Sequence, residues 1–166
     1  PGGELRFGML ETIHAYAAER LARLPAGEGD AEHWRGRHAA HFLVLAERAG
    51  PYLTGPQQAI WLARLARELP NFRAALAWYA RRGDAAAGLR LAVALGRLWH
   101  TRSYLREGRQ WLEEAFAGRI AAVPPAIRAS ALYAAGVLAH FLGDDARAIA
   151  QADASLPLFR DLANRR

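Results

Sequence analysis

Three histidines lie close together in the segment AEHWRGRHAAHF, and histidine is the commonest metal-binding side chain in proteins. His38 and His41 are three residues apart, a spacing that places both side chains on one face of a helix. No carboxylate lies at a matching spacing, and a site made of two histidines alone binds a metal weakly. We therefore interpret His33, His38 and His41 as structural residues and predict no metal site.

Other combinations of reactive residues are equally incomplete. The segment ETIH is half of the Glu-x-x-His pattern that holds iron pairs in helical bundles, but the second copy and two further inward glutamates are missing. The acid pairs Glu113–Glu114 and Asp144–Asp145 are adjacent in the chain, so their side chains point in different directions. No serine lies in the glycine-rich turn that exposes a nucleophile, and cysteine does not occur. We expect no catalytic residues, no cofactor and no enzymatic activity.

The charged residues also exclude several functions. All 22 basic residues are arginine and oppose 16 acidic ones, which gives a formal charge of +6. Without lysine the chain lacks a phosphate-binding loop of the G-x-x-x-x-G-K-[ST] kind and any Schiff-base amine. The arginines are interleaved with acids, which favours solvated helix faces over a nucleic-acid surface. No apolar run reaches the roughly 18 residues that cross a bilayer, and nothing resembles a signal peptide, so we expect a cytoplasmic protein.

Beyond residue 10, apolar residues recur at helical spacing, and no alternating strand pattern is present. The pattern predicts helices at about 11–24, 30–49, 56–82, 84–101, 104–117, 126–142 and 145–163. Pro70 lies inside the third of these and predicts a kink or a break. Gly83 predicts the end of that helix, and Asp84 predicts a cap on the next one. The length of 166 residues suits one all-α domain.

An internal repeat with an offset of 40 residues relates the last two pairs of predicted helices. Residues Leu95, Gly96, Trp99, Ser103, Gly108, Leu112 and Ala115 match Ala135, Gly136, Ala139, Gly143, Ala148, Ala152 and Ser155. Most are small residues at positions where the two helices of a tetratricopeptide hairpin approach each other closely. That repeat usually spans 34 residues, so the six extra residues are assigned to the connection GRIAAVPP.

An earlier and more degenerate pair, 30–49 with 56–82, makes three hairpins, about the minimum for a stable solenoid. The sequence therefore predicts a tetratricopeptide-like, right-handed superhelix of antiparallel helical hairpins with about seven to eight helices. We expect a bulky residue at Gly136 to disturb the crossing of its hairpin. A bulky residue at Gly118, in the connection, is expected to be tolerated.

Several segments resemble one family of bacterial proteins. The segment RFGMLETIHAYAAERL resembles the end of the winged-helix domain in STAND-type signal-transduction ATPases, including large LuxR-type and SARP-type transcriptional regulators. In the same order, NFRAALAWYARRGD, GRQWLEEAF, VPPAIRASAL and LGDDARA resemble the helical repeats that follow it. The resemblance implies that residues 1–24 are a remnant of a preceding winged-helix domain with its linking helix, LRFGML being one strand. Residues 25–166 would be the helical-repeat domain, truncated at its C-terminus, and Pro70 and Pro157 depart from the family's pattern.

In that family an ATPase core precedes the winged helix, and the repeats sense an inducer or hold the core inactive. The ATPase motifs are absent from this sequence. The resemblance therefore implies a non-catalytic sensor or interaction module that binds an inducer or a partner protein. Two alternatives stay open: a free-standing tetratricopeptide scaffold for a peptide or protein, and a nucleic-acid-binding domain, which only the basic charge and the winged-helix segment favour.

Tetratricopeptide repeats line their concave surface with the first helix of each hairpin. The 40-residue register assigns eight residues to that surface: Arg90, Val93, Arg97, His100, Ser130, Tyr133, Val137 and His140. These include two arginines and two histidines but no acid, and arginine suits carboxylates and phosphates. We predict a groove for an anionic ligand, namely an acidic peptide, a carboxylate or a phosphorylated metabolite; the alternative is a set of ordinary solvated side chains.

The last predicted helix carries a second candidate surface. Four apolar residues share one face that no later helix covers: Ile149, Leu156, Phe159 and Leu162. Exposed apolar patches of this kind are usually covered by another molecule, so we expect self-association through this end.

Overall fold

The computed structural model describes Tyr16, Glu19–Arg20, residues 31–118 and residues 120–164. The chain divides into two compact units, Pro1–Arg37 and His38–Arg166. Tyr16, Glu19 and Arg20 are helical, whereas the rest of the predicted winged-helix remnant and linking helix lies outside the described residues. None of the helices in the described ranges is long and apolar enough to cross a membrane.

Residues 31–118 and 120–164 contain seven α-helices and no strand. In order they are α1 (Ala31–Ala49), α2 (Gln58–Arg67), α3 (Leu69–Arg82), α4 (Ala85–Thr101), α5 (Leu105–Phe116), α6 (Pro125–Phe141) and α7 (Asp145–Ala163). Single turns of 3₁₀ helix follow α1 at Gly50–Tyr52 and precede α6 at Ile120–Ala122. The all-α class is thus confirmed for these residues. The bounds of α4 to α7 agree with the predicted ones to within about one residue.

The predicted helix over 56–82 is two helices separated at Glu68, as Pro70 indicated. Pro70 is the second residue of α3. Proline cannot continue α2 because it lacks the backbone N–H and clashes with the preceding turn. At the start of a new helix the missing N–H is no loss, since that donor has no partner within the helix. By contrast, Pro157 lies inside α7, and the helix continues through it.

The end of α3 and the start of α4 follow the predicted capping, and α7 begins with a cap of the same kind. Gly83 closes α3 in the left-handed conformation, with φ of +66°, a conformation that glycine adopts without steric cost. The carboxylate of Asp84 accepts a hydrogen bond from the N–H of Ala87 at 3.0 Å. Asp144 caps α7 in the same way, accepting from the N–H of Arg147 at 3.2 Å. These caps satisfy amide groups that the first turn of a helix leaves free.

Helices α4 and α5 form one short-turn pair, and α6 and α7 form another. Ser103, in the first turn, has φ of +60°, and Gly143, its match in the 40-residue register, has φ of +78°. Ser103 is the only non-glycine residue with positive φ among those described. The two turns therefore share an unusual backbone conformation at the matched position.

Helix α4 lies at the centre of the second unit and packs against α3, α5 and α6. Six of its side chains are fully buried: Leu89, Leu91, Ala92, Leu95, Leu98 and Trp99. A helix that is apolar on most of its sides has to be surrounded by other elements. The polar residues on its remaining face, Arg90 and Arg97, are therefore held by a rigid element.

The glycines of the repeat differ in their surroundings. A Cβ atom on Gly136 would lie 3.3 Å from the carbonyl oxygen of Ala148 in α7, whereas a Cβ on the matched Gly96 would have nothing within 4 Å. A Cβ on Gly118 would lie 3.1 Å from the Cβ of Ala85. The connection after α5 therefore folds against the start of α4, although Gly118 itself is exposed. The expected tolerance at Gly118 stays a prediction.

Candidate functional site

An open cleft of about 640 Å³ lies between α1, α4 and α6, beside the turn that follows α1. Most of its lining is apolar and includes Ala46, Leu53, Val93, Ala94, Ala126 and Ile127. Its polar groups are Glu47, Thr54, Arg90, Arg97 and Ser130. Ligand pockets commonly occupy roughly 300–1,000 Å³ and combine apolar walls with a few polar groups. The cleft has the size and composition of a small-molecule site.

Four of the eight residues predicted to line a groove lie on this cleft: Arg90, Val93, Arg97 and Ser130. The other four are not among its lining residues, although they lie further along α4 and α6. The ring of His100 packs against that of Phe141, with 4.0 Å between their centres. Nδ1 of His140 lies 3.2 Å from a carboxylate oxygen of Asp145. Tyr133 is exposed and Val137 is half-buried.

The cleft contains an acid that the predicted lining lacks. Arg90 donates from Nε and Nη2 to the two carboxylate oxygens of Glu47, each at 2.8 Å. This hydrogen-bonded pair raises the pKa of Arg90 further above its ordinary value, although partial burial acts in the opposite direction. The prediction of an acid-free lining is therefore wrong. The repeat register considered only α4 and α6, whereas Glu47 comes from α1, 43 residues before Arg90.

A weak sequence signal for Glu47 does exist. It follows Ala46, a fully buried residue on the inner face of α1, and so lies at the edge of that face. An acid at such an edge can reach a neighbouring helix. Which helix it reaches depends on how the helices cross, and the spacing of residues does not contain that information.

Arg97 lies two turns after Arg90 on α4, and its side chain is exposed. No acid in the described ranges forms an ion pair with its guanidinium group. Because Glu47 compensates Arg90, Arg97 supplies the uncompensated positive charge of the cleft. Guanidinium groups bind carboxylates through two parallel hydrogen bonds.

Two of the three clustered histidines, His38 and His41, contact neighbouring side chains of the protein. Nε2 of His38 lies 3.3 Å from Oδ1 of Asn71, and the His38 ring packs 4.6 Å from that of Phe42. The His41 ring lies 5.1 Å from the same Phe42 ring, edge to face. Within the described residues, no group of three or more histidines or acids is placed to hold a metal ion.

A second hydrogen-bonded ion pair lies outside the cleft and joins α3 to α5. Arg73 donates from Nε and Nη2 to the two carboxylate oxygens of Glu107, each at 2.7 Å. These bonds, with smaller contributions from charge attraction and the Trp111 side chain, hold the pKa of Glu107 below its ordinary value, against the opposing effect of burial. The pair connects helices that are distant in sequence and has a structural role.

The apolar face of α7 is exposed in large part. Ile149, Leu156 and Phe159 retain 63%, 46% and 40% of their accessible surface. Leu162, which was expected to share that exposure, is half-buried. The apolar face expected to be bare is therefore clearly exposed at three of its four residues and only partly exposed at Leu162.

Comparison with known proteins gives one group of relatives. No protein-family model matches the chain, and no solved structure matches it. Proteins described as "Putative HTH-type transcriptional regulator" in Mycobacterium bovis and in two strains of Mycobacterium tuberculosis are 35% identical to it over 144 residues. The alignment covers 84% of this chain but only 16% of each relative. The chain is thus similar, over most of its length, to one segment of much longer mycobacterial proteins that carry this name.

Proposed function

We propose that this chain is a non-catalytic sensor module of a multidomain bacterial transcriptional regulator and that it binds an anionic inducer in the α1–α4–α6 cleft. Three features support the proposal: the regulator name of the relatives, the all-α structure of the described residues, and the resemblance to the repeats of STAND-type ATPases. In this proposal the repeats form a tetratricopeptide-like superhelix in the cytoplasm, next to ATPase and winged-helix domains of the full-length protein.

The observation that carries the proposal is the combination of an apolar cleft with the uncompensated charge of Arg97. A charge-assisted hydrogen bond contributes about 1.5–3 kcal/mol, so one guanidinium is enough to distinguish an anion from a neutral analogue. Thr54 and Ser130 line the same cleft, and a hydroxyl group can donate or accept a hydrogen bond that orients a bound group. A ligand that touches α1, α4 and α6 together favours one arrangement of these helices, as a sensor requires.

The test is a thermal-shift screen of anionic and neutral compounds on the parent protein and on Arg97→Ala. Arg102→Ala is the control, because Arg102 is an exposed arginine just after α4 and does not line the cleft. An anion should raise the melting temperature of the parent and of the control. It should bind Arg97→Ala at least tenfold more weakly. Equal responses from all three proteins would contradict the proposal.

A tetratricopeptide scaffold for an acidic peptide is the second candidate. It is favoured by Tyr133, which is 60% exposed and lies three residues after Ser130 on the same face of α6. An extended peptide in the cleft would reach both residues, whereas a small molecule would reach only Ser130. Fluorescence anisotropy with an acidic peptide on Tyr133→Ala distinguishes the two, since only peptide binding should weaken.

A further inference from the structure

We infer that the cleft selects an amphipathic monoanion, a single carboxylate attached to an apolar body, rather than a polyanion such as a phosphorylated metabolite. This inference rests on the proposed function and narrows its ligand class. Two independent properties of the cleft lead to it: the pairing of its charges and the composition of its walls.

The first property is charge. Glu47 accepts both hydrogen bonds that Arg90 directs across the cleft, so this arginine is already neutralised. A polyanion bound beside the pair would meet the Glu47 carboxylate, and its negative charges would be repelled by that carboxylate. Arg97 is then the arginine that is available to the ligand. One guanidinium group can form two parallel hydrogen bonds with one carboxylate.

The second property is the apolar lining. Leu53, Val93 and Ile127 come from three different segments and converge on the cleft, together with three alanines. Additional anionic groups placed against these side chains would lose water without gaining a partner, which is costly. An alkyl or aromatic body gains free energy there, because each buried methylene is favourable. The walls therefore favour an apolar body, whereas Arg97 favours a single negative charge.

The probes are hexanoate, octanoate and decanoate below their micelle concentrations, with 1-octanol and citrate as the neutral and polyanionic comparisons. Isothermal titration calorimetry on the parent protein should give a Kd that falls about twofold to fourfold with each added methylene. Octanoate should bind at least tenfold more tightly than 1-octanol. Citrate should bind more weakly than octanoate.

Two substitutions separate the roles of the charged residues. Arg97→Ala should weaken octanoate binding at least tenfold and leave 1-octanol unchanged, and Arg97→Lys should restore part of the loss. Glu47→Gln should release Arg90 from its carboxylate partner and make citrate binding at least tenfold tighter. Circular dichroism spectra and melting curves establish that each variant is folded.

The outcomes distinguish this inference from the proposed function. Citrate binding to the parent more tightly than octanoate, in a manner that depends on Arg97, would overturn the monoanion inference and leave the anion sensor standing. Equal affinities for octanoate and 1-octanol, unaffected by Arg97→Ala, would overturn both. Absence of binding by every probe to every variant would also overturn both, since the cleft would then not be a ligand site.

Discussion

Trp99 and Gly108 are in direct contact across the α4–α5 pair, so close that a Cβ atom on Gly108 would lie 2.6 Å from Cε3 of the indole ring. The matched residues of the next pair are Ala139 and Ala148. The contact between α4 and α5 thus places the largest side chain, a tryptophan, against a glycine. The matched contact between α6 and α7 has an alanine on each helix. Helices α6 and α7 also have a more extensive contact than α4 and α5, and α7 is longer than α5.

Gly108→Ala should destabilise the protein. The new methyl group would be forced against the fully buried Trp99, and overpacking of this kind costs about 1–3 kcal/mol. The control is Gly96→Ala on α4, where a Cβ meets nothing within 4 Å and the substitution should stabilise the helix by up to about 1 kcal/mol. Chemical denaturation measures both, and equal effects would contradict the contact.

Gly136→Leu should be more destabilising than Gly96→Leu, although the two glycines match in the 40-residue register. A Cβ on Gly136 already lies 3.3 Å from the backbone of α7, so the remaining leucine atoms have to push the two helices apart, at a cost of about 1–3 kcal/mol or more. Gly96 faces open space and should lose less. A comparison of thermal melts tests this, and an equal loss in both variants would refute the close crossing.

The two separate substitutions Ser103→Gly and Gly143→Ser, each in a turn, should change the stability of the protein in opposite directions. Ser103 has φ of +60°, and a residue with a Cβ atom is strained there by roughly 1 kcal/mol relative to glycine. Ser103→Gly should therefore raise the free energy of unfolding by about 0.5–1 kcal/mol, and Gly143→Ser should lower it by a similar amount. A loss of stability in Ser103→Gly, measured by urea denaturation, would show that the hydroxyl group matters more than the strain.

Glu107→Gln should reduce the acid sensitivity of folding. The pKa of Glu107 in the folded state lies below its ordinary value of 4.5, chiefly because of the hydrogen bonds from Arg73. As the pH falls, the Glu107 carboxylate is therefore protonated at a higher pH in the unfolded chain than in the folded protein. The ion pair's contribution to the free energy of unfolding is present above about pH 4.5 and is lost progressively below it. The parent should lose stability more steeply than Glu107→Gln between about pH 5 and pH 3.

At neutral pH, Glu107→Gln should cost only about 1 kcal/mol, because Arg73 is 48% exposed and solvent screens the pair. Glu114→Gln removes the same charge from α5, and Glu114 has no ion-pair partner among the residues described. It should leave the pH slope of the parent unchanged. Parallel pH profiles for all three proteins, obtained from melts in a series of buffers, would be inconsistent with the Arg73–Glu107 linkage.

The outer face of α7 should mediate self-association. Five exposed apolar residues recur there at alternating spacings of three and four: Ile149, Ala152, Leu156, Phe159 and Ala163. This is the spacing of a seam between two helices. Leu156→Glu with Phe159→Glu should abolish a concentration-dependent increase in mass measured by light scattering. The control Ile60→Glu, at an apolar residue of α2 that is 69% exposed, should retain it. A parent protein that stays monomeric at every concentration would contradict the prediction.

Local features of the sequence determined the helices and their ends. Pro70 separates α2 from α3, and Gly83 ends α3, because both effects depend on the residue's own backbone geometry and on atoms within one turn of it. Asp84 and Asp144 cap the following helices for the same reason. The periodicity of apolar residues gave the remaining bounds of α4 to α7, since a helix face repeats every 3.6 residues wherever it packs.

The tertiary structure alone decided which side chains meet. Glu47 reaches Arg90 across 43 residues, Gly118 lies next to Ala85 at the start of α4, and Gly96 is open where Gly136 is crowded. Each of these depends on the distance and angle at which two helices cross, which the bulk of side chains such as Trp99 determines together with every other contact in the core. The sequence could therefore identify Arg90 and Arg97 as candidate binding residues. Only the tertiary contact of Glu47 on α1 with Arg90 on α4 decided that one arginine is neutralised and the other is available to a ligand.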